Sequence, residues 1–552
     1  MKCGFYAARL YSADMVKRMN ESGKSFLTSS QGMAMAAIAL GISVFLSRIL
    51  GLVRDKIISY YFGASAEADV YFIAFVVPDF LNYLLAGGYF SITLLPLLAQ
   101  SFGKSEEDGW RFFSSAVCWS ALAISILTCI AWFCTPFITP LLAPDFTPEA
   151  QERLTLFLRI ILPAQMCFLP GACFTAMLYH RRQFSVPALT PLVYNGCTIL
   201  MGLLFLYFSP QRGMEGFCWG VLIGAALGSL CLPVFAVRTG GLRFMPGFTH
   251  PFMKKLLLLA LPLMLGQSIV ALDEQFVRIF GSLTGEGGVS LLNYARRIML
   301  VPVGVVAQAA GLAAYPFLAA LAAAGEKELF DKNLNMAARN TLLAAIPLSL
   351  WMLMAAEPIM RLIFQQGSFT ANDASQSGIL LAIMMSGVAF WAVQQILGRA
   401  FYAYQDTLTP ALAGTLTSVF ALPLYWLGAK QMGAPGVALA GTVGVALYTA
   451  ALCAVWRRRF GPEALRGLAG DSFKVVLFCL PACAVAYGAN IVASFYFPAI
   501  SLLGAFVKIA LSGIAFGVAY LGLTRLFAPA LCAPILDVCQ KIVRKLGKGR
   551  KR

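Results

Sequence analysis

The sequence has few of the residues that usually catalyse reactions or bind metal ions. Of its 552 residues only His180 and His250 are histidines, and charged residues make up 12% of the chain. The 14 cysteines include no Cys-x-x-Cys pair, and no glycine-rich phosphate loop of the G-x-x-x-x-G-K-[ST] type occurs. The sequence therefore lacks the spacing of cysteine, histidine and glycine residues that is typical of zinc, thiol-redox and ATP-hydrolysing sites. We therefore predict a protein that is not an enzyme, with no catalytic residue, metal or cofactor, and with energy coupling that comes from a gradient or the membrane potential.

Apolar residues, by contrast, are abundant. They make up 59% of the chain, and the mean hydropathy is +0.76, whereas soluble proteins average about 45–50% apolar and about 25% charged residues. A helix needs about 20 mostly apolar residues to cross a bilayer. The sequence predicts an all-α polytopic membrane protein of about 14 transmembrane helices. We place them near 33–53, 69–99, 113–139, 154–178, 186–208, 215–237, 256–283, 289–322, 339–364, 377–404, 409–428, 433–456, 474–497 and 501–527.

The distribution of lysine and arginine predicts the orientation of these helices. With the N-terminus inside, the cytoplasmic segments hold 28 of these residues and the opposite side holds 5. Cytoplasmic loops of membrane proteins carry such an excess, so both termini are expected in the cytoplasm. The net charge of +17 therefore reflects membrane orientation. We expect contacts with membrane lipids and none with nucleic acid.

The same pattern divides the chain into six parts. A basic cytoplasmic tail with no apolar signal-peptide core precedes the helices, and a second basic tail follows them. Between the tails we expect two halves of six helices, a cytoplasmic linker and a C-terminal helix pair. The predicted parts are 1–32 (tail), 33–237 (helices 1–6), 238–255 (linker), 256–456 (helices 7–12), 457–527 (helices 13–14) and 528–552 (tail).

Ionisable residues within the predicted spans are concentrated in spans 1, 2, 7 and 8. Such residues are costly in a membrane and usually face a cavity, a partner or the interface. Arg48 lies well inside span 1, and Arg296 and Arg297 lie about two turns into span 8. Spans 1–2 and 7–8 are equivalent in the two halves, so a cavity between the halves would be lined by arginines, which bind phosphate through paired donors. This favours an anionic, diphosphate-linked lipid as substrate. The alternative is interhelical ion pairing, for instance of Arg48 with Asp69.

Other charges in the spans have a structural interpretation. Glu274 and Arg278 are four residues apart on one helix, the spacing of a local ion pair. Arg361 lies near a predicted span end, where long side chains reach the interface. We therefore expect Arg361 and Arg278 to matter for structure more than for substrate.

The residues around the charged spans form motifs. In the first half these are Ser47-Arg48-x-x-Gly51-x-x-Arg54-Asp55, Phe62-Gly63-Ala64, Asp69, Ala74-Phe75, Pro78, Gly88-x-Phe90-Ser91 and Pro96. In the second half they are Tyr294-Ala295-x-Arg297 with Pro302, Gly304 and Pro316, then Phe364-x-x-Gly367-x-Phe369-Thr370-x-x-Asp373, and Gln405-Asp406-Thr407-x-Thr409-Pro410. With these motifs, roughly residues 33 to 530 resemble the MurJ/MviN family of the multidrug/oligosaccharidyl-lipid/polysaccharide (MOP) exporter superfamily.

The resemblance implies two six-helix lobes in a V around a cationic cavity, with two C-terminal helices forming a groove for a polyprenyl tail. It implies a flippase that moves lipid II, the peptidoglycan precursor, from the cytoplasmic to the periplasmic leaflet of the bacterial inner membrane by alternating access. Cell-wall synthesis proteins are candidate partners. The family's cavity positions correspond to Arg48, Arg54 and Arg297, with Ser47, Asp55, Asp69 and Arg296 beside them.

Four positions depart from the family pattern in the expected cavity. Val76, Asn82 and Gly87 stand where the family usually has charged residues, and Arg296 stands where it usually has aspartate. A flippase for another polyprenyl-diphosphate-linked glycan is therefore the main alternative. A drug/cation antiporter would place unpaired acids in the cavity, and a membrane glycosyltransferase would need a large catalytic loop. A non-transporting scaffold of cell-wall synthesis is a further alternative.

Overall fold

The computed structural model describes residues 33–85, 89–270, 272–497 and 501–529. The predicted tail 1–32, nearly all of the tail 528–552 and Gly87 lie outside these residues. Regular structure in the described residues is entirely helical, which confirms the predicted all-α class. Ten of the described helices, or eleven if one bent pair is a single span, are long and apolar enough to cross a membrane. The prediction of 14 spans is not confirmed by this number.

The helices are numbered here in chain order. Those before residue 250 are α1 (Met33–Phe62), α2 (Ala66–Ile73), α3 (Val76–Leu85), α4 (Tyr89–Lys104), α5 (Glu106–Phe133), α6 (Thr135–Leu142), α7 (Pro148–Ile161), α8 (Gln165–His180), α9 (Ser185–Phe208), α10 (Gly213–Gly224) and α11 (Leu232–Thr239). Those after it are α12 (Pro251–Val270), α13 (Leu272–Gly281), α14 (Gly288–Pro302), α15 (Ala309–Ala324), α16 (Lys327–Met354), α17 (Ala356–Phe364), α18 (Ala371–Met385), α19 (Val388–Ala403), α20 (Leu408–Met432), α21 (Ala434–Phe460), α22 (Leu468–Tyr496) and α23 (Leu502–Phe527).

Proline explains a break in the second predicted span. The stretch predicted as 69–99 begins as two separate helices, α2 and α3, with a turn at Ala74 and Phe75 between them. Pro78 has no N–H to donate to the carbonyl of Ala74, and its ring crowds the preceding turn. The helix therefore ends before Ala74 and restarts at Val76.

A second irregularity lies in the long eighth span. Helical structure runs from Gly288 to Ala324, 37 residues, about 55 Å at 1.5 Å per residue, against about 30 Å for the bilayer core. After Pro302 the helix widens to a π-helical segment, Val303–Gln308. Wide turns of this kind often occur at functional sites. The π-helical segment begins less than two turns after Arg296 and Arg297.

The described chain divides into two compact units. The first takes in residues up to Ile57, Ile73–Leu142 and Phe146–Ser268. The second takes in Ile58–Phe72, Ala143–Asp145 and the residues from Ile269 onward. The segment Ile58–Phe72, which connects the first two predicted spans, thus packs within the second unit while the residues on both sides of it belong to the first.

Each unit has its own apolar core. In the first unit α4, α5 and α8 pack around the buried Trp110, Phe113 and Phe174. In the second unit the C-terminal helices α22 and α23 pack through Cys479 and Phe516 against Leu343 of α16.

Candidate functional site in the charged helices

Helix α1 carries four of the seven predicted site residues, and hydrogen bonds hold it in the first unit. The hydroxyl of Ser43 donates to the carbonyl of Ala188 in α9. One turn later the amide of Asn195 in α9 donates to the hydroxyl of Ser47 at 3.3 Å. Arg48 follows Ser47 and is exposed. The Ser47–Asn195 contact thus sets the position of the turn that carries Arg48.

Arg54 and Asp55 form an ion pair about two turns further along the same helix. The Arg54 guanidinium donates from Nε and from Nη2 to one oxygen of Asp55, at 3.0 and 2.9 Å. Both side chains are largely buried, with 13% and 4% of their surface exposed. Tyr194 of α9 lies within electrostatic reach of Arg54 and of Asp79. Adjacent residues of a helix point about 100° apart, so the sequence alone did not predict this pairing.

Asp69 lies in the second unit, where it caps a helix. Its side chain is fully buried, and its two oxygens accept hydrogen bonds from the backbone N–H groups of Gly287 and Ser290, each at 2.7 Å. The N–H groups in the first turn of a helix have no partner within the helix, and a carboxylate there also meets the positive end of the dipole. Glu286 in turn accepts from the N–H of Ala66 at the start of α2, at 3.1 Å. Helices α2 and α14 therefore cap each other.

Residues from three of the sequence motifs meet around this cap. The carbonyl of Tyr60 accepts from the N–H of Ser368 at 2.8 Å, and the hydroxyl of Tyr294 donates to the carbonyl of Gly63 at 3.3 Å. The ring of Tyr294 also contacts those of Phe72, Phe364 and Phe369. We call this set, with Asp69 and Gly287, the docking cluster, because it fixes Ile58–Phe72 in the second unit.

Gly63 of the docking cluster and the neighbouring Gly367 are required by close backbone approach. Gly63 and Gly367 have φ of +60° and +59°, a region that disfavours other residues. A Cβ on Gly63 would lie 2.5 Å from the carbonyl oxygen of Ser368, and one on Gly367 would collide with that of Tyr60. Backbone packing therefore explains why glycine occupies these two motif positions.

Arg296 makes a buried ion pair in the second unit. Its guanidinium donates to one oxygen of Asp273 at 2.9 Å, and the hydroxyl of Tyr425 donates to the other oxygen at 2.6 Å. Only 11% of the Arg296 side chain is exposed. Arg296 thus balances the charge of the Asp273 carboxylate on α13. The sequence gave no indication that Tyr425 of α20 would bind the second oxygen of that carboxylate.

Further charged residues lie beside this ion pair. Arg278 and Glu274 form the predicted local ion pair at 2.8 Å, which confirms that interpretation. Glu274 also lies within electrostatic reach of Arg296 and of Arg297. Three guanidinium groups, those of Arg278, Arg296 and Arg297, thus lie around the carboxylate of Glu274. Arg297 itself is half-buried on α14.

We expect Arg296→Leu to destabilise the protein, because it leaves the carboxylate of Asp273 without its cation. Breaking a buried pair on one side costs about 3 kcal/mol. The double variant with Asp273→Leu should recover most of that loss, since neither charge then remains. Thermal unfolding of the purified protein in detergent measures both variants. A double variant no more stable than Arg296→Leu would show that the two charges are not coupled.

The structure thus sorts the seven predicted site residues by unit. Ser47, Arg48, Arg54 and Asp55 lie together on α1 in the first unit, and Asp69, Arg296 and Arg297 lie in the second. Sequence reasoning did not identify three residues that organise these groups. They are Asn195, Gly287 and Tyr425. The glycines before α14, at Gly285, Gly287 and Gly288, were a usable signal, because a helix that begins after such a turn has free N–H groups.

The fold is that of the MOP superfamily exporters. The structure titled "Inward-facing conformation of a multidrug resistance MATE family transporter of the MOP superfamily" matches with a TM-score of 0.65 at 14% identity, over 78% of this chain and 99% of that one. "Lipid II flippase MurJ, inward closed conformation" matches with a TM-score of 0.74 at 24% identity, over 88% of this chain and 99% of that one.

Sequence comparison identifies the family within this class. The profile of the family "Lipid II flippase MurJ" matches residues 58–531, and the chain belongs to that family. The "Probable lipid II flippase MurJ" of Rhizobium meliloti (strain 1021) is 30% identical over 432 residues, 76% of this chain and 79% of that protein. The protein of the same name from Buchnera aphidicola subsp. Acyrthosiphon pisum (strain APS) is 28% identical over 386 residues, 69% of this chain and 75% of that protein. These findings confirm the family resemblance drawn from the motifs.

Proposed function

We propose that the chain is a lipid II flippase, which carries the undecaprenyl-diphosphate-linked peptidoglycan precursor from the cytoplasmic to the periplasmic leaflet of the bacterial inner membrane. Membership of the MurJ family over residues 58–531 is the observation that carries this proposal. The arginines at membrane depth support it, because guanidinium groups bind diphosphate through paired, charge-assisted hydrogen bonds.

Arg48 and Arg297 are the proposed direct ligands of the diphosphate. Arg48 is exposed on α1, and Arg297 is half-buried on α14, where it lies next to Arg296 and within electrostatic reach of Glu274. Arg54 would contribute as part of its ion pair with Asp55, which holds the guanidinium in place. Ser47 would position Arg48 through Asn195. Arg296 would act by neutralising Asp273, which would otherwise repel the substrate.

Asp69 has a different proposed role. We infer that transport proceeds by alternating access of two lobes, 33–237 and 256–456. The docking cluster ties Ile58–Phe72 to the second unit although both neighbouring stretches belong to the first. Rearrangement of one lobe against the other must therefore act through this segment. Asp69, buried under α14, would keep the segment attached to the second unit during that movement.

The remaining parts of the proposal concern placement and energy. Both termini are placed in the cytoplasm on the strength of the charge bias across the predicted loops. The chain would act as a transporter and catalyse no covalent reaction, driven by a gradient or the membrane potential. Cell-wall synthesis proteins are its candidate partners.

Complementation tests the proposed function directly. A bacterial host is depleted of its own lipid II flippase while this chain is supplied, and lipid II in the outer leaflet is measured by cleavage with an externally added enzyme. We expect survival and cleavable lipid II, because the host provides the substrate. Death of the host despite normal amounts of the chain in the membrane would contradict the proposal and favour another polyprenyl-diphosphate-linked glycan as substrate.

A further inference from the structure

Four helices of the second unit line a half-open cavity of about 570 Å³ to which the proposed function assigns no residue. Its walls come from α16, α19, α21 and α22. Most of the lining is aliphatic or aromatic, and Ile346, Phe390, Val393 and Val476 are typical of it. None of its lining residues belongs to α1 or to the docking cluster.

Three of the four hydroxyl groups in the cavity wall, those of Ser349, Ser386 and Thr449, already donate to protein carbonyls. Ser349 donates to the carbonyl of Ala345 at 2.6 Å. Thr449 donates to the carbonyl of Phe390 at 3.0 Å, and Ser386 donates to a carbonyl one turn earlier at 2.6 Å. A buried polar ligand would need partners that these groups no longer offer. The cavity is therefore suited to a hydrocarbon chain and unsuited to a sugar or a nucleotide.

One end of the cavity carries a positive charge. Arg457 is the charged residue among those that line it, is exposed, and forms no ion pair with any residue that the structure describes. The acids nearby have other partners, since Asp406 pairs with Arg459, and Asp471 pairs with Arg339 at 3.0 Å. An apolar cavity with an available guanidinium at one end is complementary to an acyl chain with an anionic head.

The depth of the cavity matches one leaflet of a bilayer. On α21 the lining residues run from Ala446 to Arg457, which is about 16 Å along a helix. Half of a bilayer's hydrocarbon core is about 15 Å. Arg457 lies in the last turn of α21, which the charge bias places at the cytoplasmic surface. A lipid of that leaflet would therefore put its phosphate beside Arg457 and its chain along the cavity.

We propose that this cavity binds an anionic glycerophospholipid of the cytoplasmic leaflet, with one acyl chain in the cavity and the phosphate on Arg457. Filling the space with a lipid chain recovers van der Waals contacts that an empty cavity would lose. The backbone N–H groups at the start of α22, beside Leu468 and Ala469 of the lining, add a favourable dipole. The proposal goes beyond the flippase function and does not depend on it.

Native mass spectrometry of the purified full-length chain tests the site. The protein in detergent is titrated with phosphatidylglycerol and, separately, with zwitterionic phosphatidylethanolamine. We expect one phosphatidylglycerol to bind about fivefold more tightly, and Arg457→Gln to remove that preference. Arg458→Gln is the matched control, because Arg458 is the next residue on the same helix, is exposed and does not line the cavity. It should leave the preference unchanged.

Filling the cavity tests the acyl-chain part. Ala450→Phe should weaken binding of both lipids, since Ala450 lines the cavity and is exposed to it. Ala450→Leu is a smaller change and replaces Ala450→Phe in the experiment if the phenylalanine variant fails to fold. An unchanged melting temperature shows that the variant used is folded. Unchanged phosphatidylglycerol binding in the Arg457→Gln and cavity-filling variants would overturn the proposal. So would displacement of the bound lipid by polyprenyl diphosphate in an Arg457-dependent way, because the cavity would then hold the substrate's tail. Flipping activity is not part of this readout, so failure here leaves the proposed function untouched.

Discussion

Arg297→Ala and Arg48→Ala are each expected to abolish rescue of a host depleted of its own lipid II flippase. Each variant removes a guanidinium proposed to bind the substrate diphosphate. A hydrogen bond to a charged group contributes about 1.5–3 kcal/mol, so the loss should lower lipid II binding about 10- to 100-fold. Survival of the host and the amount of lipid II cleavable from outside measure the result, and immunoblotting of the membranes measures the protein.

Arg361→Ala is the matched control for these two variants. Arg361 is an arginine within a predicted span as well, but it pairs with Glu357 on its own helix at 2.6 Å. Its loss should be tolerated. Arg297→Lys should rescue only in part, because lysine keeps the charge and loses the paired donors. Equal effects of alanine at Arg48, Arg297 and Arg361 would remove the basis for assigning a substrate site.

Asp69→Ala is expected to have the second large effect, through stability. Both oxygens of this buried carboxylate accept hydrogen bonds from backbone N–H groups, and the variant leaves those donors unsatisfied. Each unsatisfied buried donor costs about 1–3 kcal/mol, so the total for the two donors should be roughly 2–6 kcal/mol. The melting temperature in detergent should fall, and the amount of protein in the membrane should fall with it. Asp69→Asn should be milder, because its amide oxygen can still accept one of the two bonds.

Asp373→Ala provides a comparison with the same chemistry at an exposed position. Asp373 completes a capping box with Thr370 at the start of α18, where its carboxylate accepts from the Thr370 N–H at 2.8 Å. Loss of an exposed cap costs only about 1 kcal/mol, since water can replace the carboxylate. A melting temperature for Asp69→Ala equal to that of Asp373→Ala would contradict the role we give to burial.

The site was predictable to an unequal degree. Arg48 and Arg297 were predicted as site residues because a charge in a long apolar stretch stands out against its neighbours. The contacts that these arginines make could not be predicted, because they join helices that are far apart in sequence. Asp69 was expected beside a cavity, and the structure places it under the N-terminus of α14. Arg296 carries a charge opposite to that of the aspartate expected from the family pattern, and the structure shows that it forms an ion pair with Asp273.

The sequence by itself determined the class of the protein and its family. Length and composition of the apolar stretches are local properties, so they predicted a membrane protein of helices without any knowledge of packing. Each motif could likewise be recognised from the local sequence alone. Only the tertiary structure decided what the motifs do, because Gly63 meets Tyr294, 231 positions further along the chain, and also packs against Ser368. It also decided that Ile58–Phe72 packs in the second unit, since close backbone approach and helix capping depend on which elements meet.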